Sequence, residues 1–224
     1  MLALLLGTAA IAGSDFRISD PKRVAVFAIA TKIDLGDHEI DLETKPPPEV
    51  YEQRQAQAAQ TYHLTVNTLR SAYGWEVLGL DAVRGSEAYD PFWTAATPAA
   101  NRAHTELATH FVPPRLLHAD LALTVKQEPR DALMEALGVD HLVMAHFSLS
   151  ALQPGPKRAR PIGFARLVVY AKGEKKAVWK GNARGQAGKA PVRIQTLQYT
   201  DAEFDSIKTA MRTGLRKLRA KVPQ

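Results

Sequence analysis

His141, His146, Ser148 and Ser150 fall within ten residues of one another in "ALGVDHLVMAHFSLS", residues 136–150, and this is where the chain comes nearest to a reaction centre. A serine beside a histidine suggests a hydrolase, with the imidazole as the base that activates the hydroxyl. Side chains of a strand alternate between faces, so His146, Ser148 and Ser150 share one side and a His146/Ser148 pair is geometrically open. An extended strand nevertheless holds such side chains nearly parallel, and no G-x-S-x-G turn is present to thrust a nucleophile forward. His141 and His146 are five apart and point to opposite sides, so they cannot ligate one metal together. His104, His110 and His118 are spaced by six and eight, not by the three or four that places two ligands on one helix face. In "GNARGQAGKAP" a phosphate loop would need glycine where Ala183 stands and Ser or Thr where Ala190 stands. Cysteine is absent, which removes disulfides, thiolate metal sites, Cys nucleophiles and an acylated cysteine from these 224 residues. The expectation is therefore no catalytic residue, no cofactor and no metal. His146, Ser148 and Ser150 read as the place where a buried strand reaches water.

The elements that position this stretch are legible from periodicity. "RVAVFAIATKIDL" (23–35) is a continuous β-rich apolar run, as in a strand covered on both faces. After Pro46 to Pro48 a helix starts near Glu49. Ala58, Tyr62, Val66, Leu69 and Tyr73 form its apolar stripe and Gly74 its end. "WEVLGLDAV" (75–83) reads as a second strand. Residues 84–128 read as a helical insertion, with short helices at Asn101 to His110 and Arg115 to Leu123 divided by Pro113-Pro114. Pro129 suits the first turn of a short helix closed by Gly138, and the opening stretch then runs as a strand from Asp140 to Ser150. "QPGPKRARP" (153–161) reads as a basic turn, and 162–171 with 176–184 as a hairpin turning at Lys172 to Lys175. "DAEFDSIKTAMRTGLRKLRAKV" is an amphipathic helix capped by Asp201. Its apolar stripe is Phe204, Ile207, Met211, Leu215, Leu218 and Val222. The fold class expected is α/β: a mixed sheet of about five strands, with a long helix, a short helix and a C-terminal helix packed on it, plus the helical insertion.

Charge divides the chain. Residues 1–150 carry 12 Lys and Arg against 19 Asp and Glu, whereas residues 151–224 carry 17 against 4. Such polarity gives an attractive surface for an anionic partner. The residues that would form it are Lys157, Arg158 and Arg160, with Lys208, Arg212, Arg216 and Arg219 on one face of the last helix. Lys175 and Lys176 add charge at the hairpin tip. Nucleic-acid readers interleave basic residues with exposed aromatics, but Phe164, Tyr170 and Trp179 alternate as sheet residues that helices should cover, which disfavours nucleic acid. At the start, "MLALLLGTAAIAGSDF" joins an apolar block to Ala10-Ile11-Ala12 before Gly13, so residues 1–12 read as an export signal cleaved after Ala12 and 13–224 as a single α/β domain. No other stretch approaches the ~20 apolar residues of a membrane span.

The order of elements, with "ALGVDHLVMAHF" and "LVVYAKGEKKAVWKGNA", resembles the small envelope α/β domains of curli-secretion pore subunits, of lipoprotein activators of penicillin-binding proteins, and of the amino-terminal domain of the Tol system's periplasmic propeller protein. In that pattern a glycine and an aspartate turn a helix into a strand, and a Lys-Val-Trp stretch opens the second strand of a hairpin. Gly138-Val139-Asp140 and Ala177-Val178-Trp179 hold those places here. The glycine expected after the strand's apolar half is replaced by Ala145-His146, and the insertion has no counterpart. The resemblance spans Arg23 to Lys221 and implies a periplasmic or outer-membrane-associated scaffold or binding module without catalytic residues. Its partner would be an envelope protein or an anionic envelope polymer, and the chain a homo-oligomer or part of a larger assembly. The alternatives are a cytoplasmic nucleic-acid binder and a hydrolase using His146/Ser148.

Overall fold

The computed structural model describes residues 16–17, 20, 22–34, 48–94, 110–111, 113, 115–155, 158–186, 205, 208–209 and 212–213. Strand β1 (Arg23–Asp34) opens the fold. Helix α1 (Pro48–Tyr73) follows, then the two-residue β2 (Glu76–Val77) and helix α2 (Leu80–Arg84). A 3-10 turn at Glu87–Tyr89 precedes β3 (His110–Phe111), and α3 (Ala119–Ala122) and α4 (Gln127–Leu137) lead into the strands β4 (His141–Gly155), β5 (Arg158–Ala171) and β6 (Trp179–Gln186). The architecture is α/β with a mixed sheet in the order β2-β1-β4-β5-β6, and β3 pairs with β1 as a sixth strand. β1 runs parallel to β2 and β4, while β4, β5 and β6 are mutually antiparallel.

β1 is apolar throughout its first half because both of its faces are covered. Val24 to Ala30 are all buried, and the alternation that marks a half-wet strand is absent. The β1–β4 register jumps between Val26 and Ala28, leaving Phe27 as a bulge residue outside the ladder. The Tyr89 hydroxyl donates to the Phe27 carbonyl at 2.7 Å and accepts from the Leu117 amide at 2.6 Å. Leu117 itself bridges Ala28, and its carbonyl accepts from the Ile29 amide at 3.1 Å. Residues between β2 and α4 are thus part of the core: Tyr89, Phe92, Leu116, Leu117, Ala119 and Ala122 are buried with β1.

The stripe predicted for α1 is the buried one: Ala58, Tyr62, Val66, Leu69 and Tyr73 are each 7% exposed or less. Gly74 takes φ 69° after the last turn, and its amide donates to the Arg70 carbonyl. Gly138 repeats this device at φ 59° after α4. Arg23 grips the turn that follows: its Nη1 donates to the Gly138 carbonyl at 2.7 Å, its Nε meets Glu76 at 3.0 Å, and its carbonyl accepts from the Asp140 amide at 2.9 Å.

Four expectations are corrected. The strand read at 75–83 is only Glu76–Val77, because Gly79 starts α2 and the next positions along β1 are paired by Leu117 and β3. The helix read at Arg115 to Leu123 is confined to Ala119–Ala122, since Leu117 is tied to β1. The basic turn read at 153–161 is largely strand: β4 continues to Gly155 and β5 begins at Arg158, with Gly155 and Arg158 partners in register. The last strand of the hairpin begins at Trp179 in place of 176, opposite Val169, after a turn reaching Val178. Of the C-terminal helix, Asp205, Lys208, Thr209, Arg212 and Thr213 are helical, and the hydroxyls of Thr209 and Thr213 donate to carbonyls four residues back. Its apolar stripe and the Asp201 cap lie outside the described residues, as do Ala12 and residues 101–109.

Candidate functional site

β4 carries His146 to the sheet face that α3 covers. His118, the residue that caps α3, accepts the Asp120 amide on Nδ1 at 3.2 Å, which fixes both residues at the helix start. The Asp120 carboxylate lies between two imidazoles: Oδ2 is 3.8 Å from His118 Nδ1, and Oδ1 is 3.7 Å from His146 Nδ1. His118 is almost wholly buried and His146 largely so, whereas Asp120 is more than half exposed. The Nε2 atoms of both histidines are shut away from solvent. A hydrolytic base presents its working nitrogen to substrate, and here that nitrogen is sealed. Ser148 is in register with Lys32 and Phe164, and nothing further is described of its side chain. Among the described residues no group of three or more His, Asp or Glu is arranged to hold a metal ion.

His141 lies on the other side of the sheet from His146, as alternation requires. Its ring meets Phe16 edge to face at 5.4 Å. Burial depresses its pKa below the ordinary value, Lys22 adds to that, and Asp140 opposes it. Burial also pushes the hydroxyls of Tyr62 and Tyr89 well above the usual tyrosine range, so both stay neutral.

The His118–Asp120–His146 group was not visible from sequence. Spacing along the chain compares residues of one element, and this group joins the helix cap His118 to His146, 28 residues later on a strand. The local signal was His118 followed two places on by Asp120, a capping pattern.

The residues expected to bind a partner fall into three sets. Lys208 is half-buried: it pairs with Asp205 at 2.5 Å, and its Nζ donates to Gln60 Oε1 on α1 at 3.3 Å, so it holds the last helix against the first. Arg212, one turn on, is exposed. Arg158 and Arg160 open β5, opposite Gly155 and Leu152. Lys157, Arg216 and Arg219 lie outside the described residues. The hairpin tip adds Lys172, Lys175 and Lys176, all exposed, with Lys172 reaching Glu135 on α4 at 3.3 Å.

The aromatics expected beneath helices divide. Tyr170 is buried, with the Arg130 guanidinium of α4 over its ring at 4.1 Å. Trp179 is half-buried, but Phe164 is 42% exposed, which corrects the expectation that a helix covers it. Among the described residues no helix is long and apolar enough to cross a membrane.

No family model matches the chain, and no curated protein matches it. Among solved structures it is similar to the LpoB C-terminal domain from Salmonella enterica, at 7% identity and a TM-score of 0.37, covering 78% of this chain and 87% of that one. It is also similar to lipoprotein GNA1162 from Neisseria meningitidis, at 10% identity and a TM-score of 0.36, covering 83% of this chain and 91% of that one. With both TM-scores below 0.5, neither likeness assigns this chain a function.

Proposed function

We propose that this chain is a non-catalytic accessory or binding module of the cell envelope, exported by its first twelve residues, which docks an anionic or acidic partner through its basic carboxy-terminal third. The observation that carries the reading is the charge division: 17 Lys and Arg against 4 Asp and Glu beyond residue 150, after a first 150 residues with the opposite excess. A domain that only had to stay soluble would not need its charge sorted by position. The sealed histidine nitrogens support a structural role for the polar end of β4 and weigh against the His146/Ser148 hydrolase.

The test is a triple reversal, Arg212→Glu, Arg216→Glu and Arg219→Glu. Lys208 is spared because it pairs with Asp205 and Gln60. The variant should keep the parent's circular dichroism and lose association with the envelope fraction. Binding of the parent should weaken as salt shortens the Debye length from ~10 Å at 0.1 M toward ~3 Å at 1 M. Association that ignores both changes would show the basic surface to be solubilising only. Protein recovered from cells with Met1 intact in the cytosol would end the envelope reading; an amino terminus at Gly13 supports it.

A further inference from the structure

We propose that the tip of the β5–β6 hairpin, residues 172–178, is a membrane-surface contact: Lys175 and Lys176, on a turn whose shape Arg130 and Asp131 hold, settle against the phosphates of an anionic lipid leaflet. This rests on the reading that the basic third docks an anionic partner, and gives that reading one site and one partner chemistry. Lys172, Lys175, Lys176 and Lys180 are all exposed, and of these four only Lys172 meets a carboxylate, that of Glu135 at 3.3 Å. Glu174 is the one acid of the turn itself, and Asp131 and Glu135 reach it from α4. A Cβ added at Gly173 would have no atom within 4 Å, so the chain there stands clear of the body.

The turn is held from beneath by a buried cation. Arg130 is 3% exposed, and among the described residues no carboxylate meets it. Its Nη2 donates to the carbonyls of Glu174 at 3.3 Å and Lys175 at 2.8 Å, and its guanidinium lies over the Tyr170 ring at 4.1 Å. Asp131 accepts the Gly173 amide on Oδ1 at 2.9 Å and the Gln127 side chain on Oδ2 at 3.1 Å. Burying a guanidinium without a counter-ion is unfavourable, and a turn that only joined two strands would not need such support. Here three consecutive residues, Gly173 to Lys175, are fixed through their backbone from α4, which leaves Lys175 and Lys176 exposed side by side.

The residue types choose the partner. A carboxylate is recognised best by the fixed fork of arginine, whereas lysine is a flexible, hydrated point charge that suits phosphates lying in no set arrangement. Nucleic acid asks for exposed rings on which bases stack, and residues 172–178 contain none. Directly after the lysines, Ala177, Val178 and Trp179 are half-buried against the core. Cations ahead of a tryptophan are the composition of a membrane–water interface, where ammonium groups lie among the headgroups and the ring sits just beneath them. An anionic leaflet raises binding by a factor of about five for each lysine brought near it.

The experiment is sedimentation of the full chain with vesicles of phosphatidylglycerol and phosphatidylcholine in equal parts, set against vesicles of phosphatidylcholine alone. The parent should partition onto the anionic vesicles and not onto the neutral ones. K175Q with K176Q should lower that partition roughly 25-fold at low salt, a factor of about five for each lysine. The hold on the turn is tested by a change of opposite electrostatic sign. D131A removes a negative charge beside the tip, so a tip acting by charge alone would bind anionic vesicles more tightly, whereas loss of the Gly173 anchor should weaken binding severalfold. D131N keeps an acceptor oxygen and should bind at least as tightly as the parent. A parent that ignores anionic vesicles, a K175Q/K176Q variant that binds as the parent does, or a D131A variant that binds as tightly as the parent or more so would each overturn the proposal. Association with delipidated envelope proteins in place of vesicles would also overturn it and leave the envelope reading standing, with a protein as the partner. Tip-dependent vesicle binding by a chain found in the cytosol with Met1 intact would overturn the envelope reading alone.

Discussion

The Tyr89 hydroxyl occupies a position that no apolar side chain could replace. The bulge at Phe27 frees a carbonyl from the β1 ladder, and the Leu117 amide points into the same core; one phenol satisfies both. Tyr89→Phe should cost about 1–3 kcal/mol in urea unfolding, the range for a buried polar group left unmade, although the volume scarcely changes. His141 gives a pH signature. Its pKa is lower in the folded than in the unfolded state, so the unfolded chain takes up the proton first. Its contribution to stability is complete above its ordinary range, falls as pH drops through about 6.5, and levels off below the folded pKa. His141→Phe should therefore lose less stability than the parent between about pH 8 and pH 5, as measured by chemical denaturation at each pH. An equal loss in both proteins would show that His141 is not depressed by burial. The wet-end reading of His146 is corrected by a largely buried imidazole whose Nε2 is shut away from solvent, and sequence gave no access to Asp120 and His118, whose meeting with it depends on the sheet.

Elements were legible where one period ran long enough to be unambiguous. α1 holds its stripe over five marks, and the stripe is buried as read. From Val24 to Ala30 β1 is a pure apolar run, and these residues are buried. The short pieces between β2 and α4 were not legible, because two to five residues of Leu, Val and Ala fit either period and their state is set by what β1 still has unpaired. Leu117 illustrates this: it bridges Ala28 where helical spacing alone would have continued a turn. Glycine punctuation was the more dependable guide. Gly138 ends α4 in a left-handed conformation, and a Cβ there would lie 3.2 Å from Arg23 Nη1. Gly138→Ala should destabilise by about 1–2 kcal/mol from backbone conformation alone, seen as a lowered urea midpoint with unchanged slope. Ala substitution at Gly79, where no atom stands within 4 Å and φ is −70°, should leave the midpoint nearly unmoved.

At the scale of the whole molecule, the parallel pairing of β1 with β4 joins Val24 to His141 across more than a hundred residues. The same gap is visible in the Arg23 and Asp140 hydrogen bonds, whose partners are 117 positions apart. A chain made at ~5–20 residues per second therefore leaves β1, the most apolar strand, without its central neighbour for roughly 6–23 seconds of synthesis. β2 and β3 are two residues each and cannot hold it meanwhile. A fragment ending at Gly138 should accordingly show no protected β1 amides in hydrogen exchange, because the four residue pairs that β2 and β3 make with β1 cannot replace the β4 ladder. Topology thus sets a timetable: until β4 emerges, β1 is an adhesive segment without its central partner, suited to being kept extended by a holding factor or threaded through a narrow pore, and exposed to aggregation if neither is at hand.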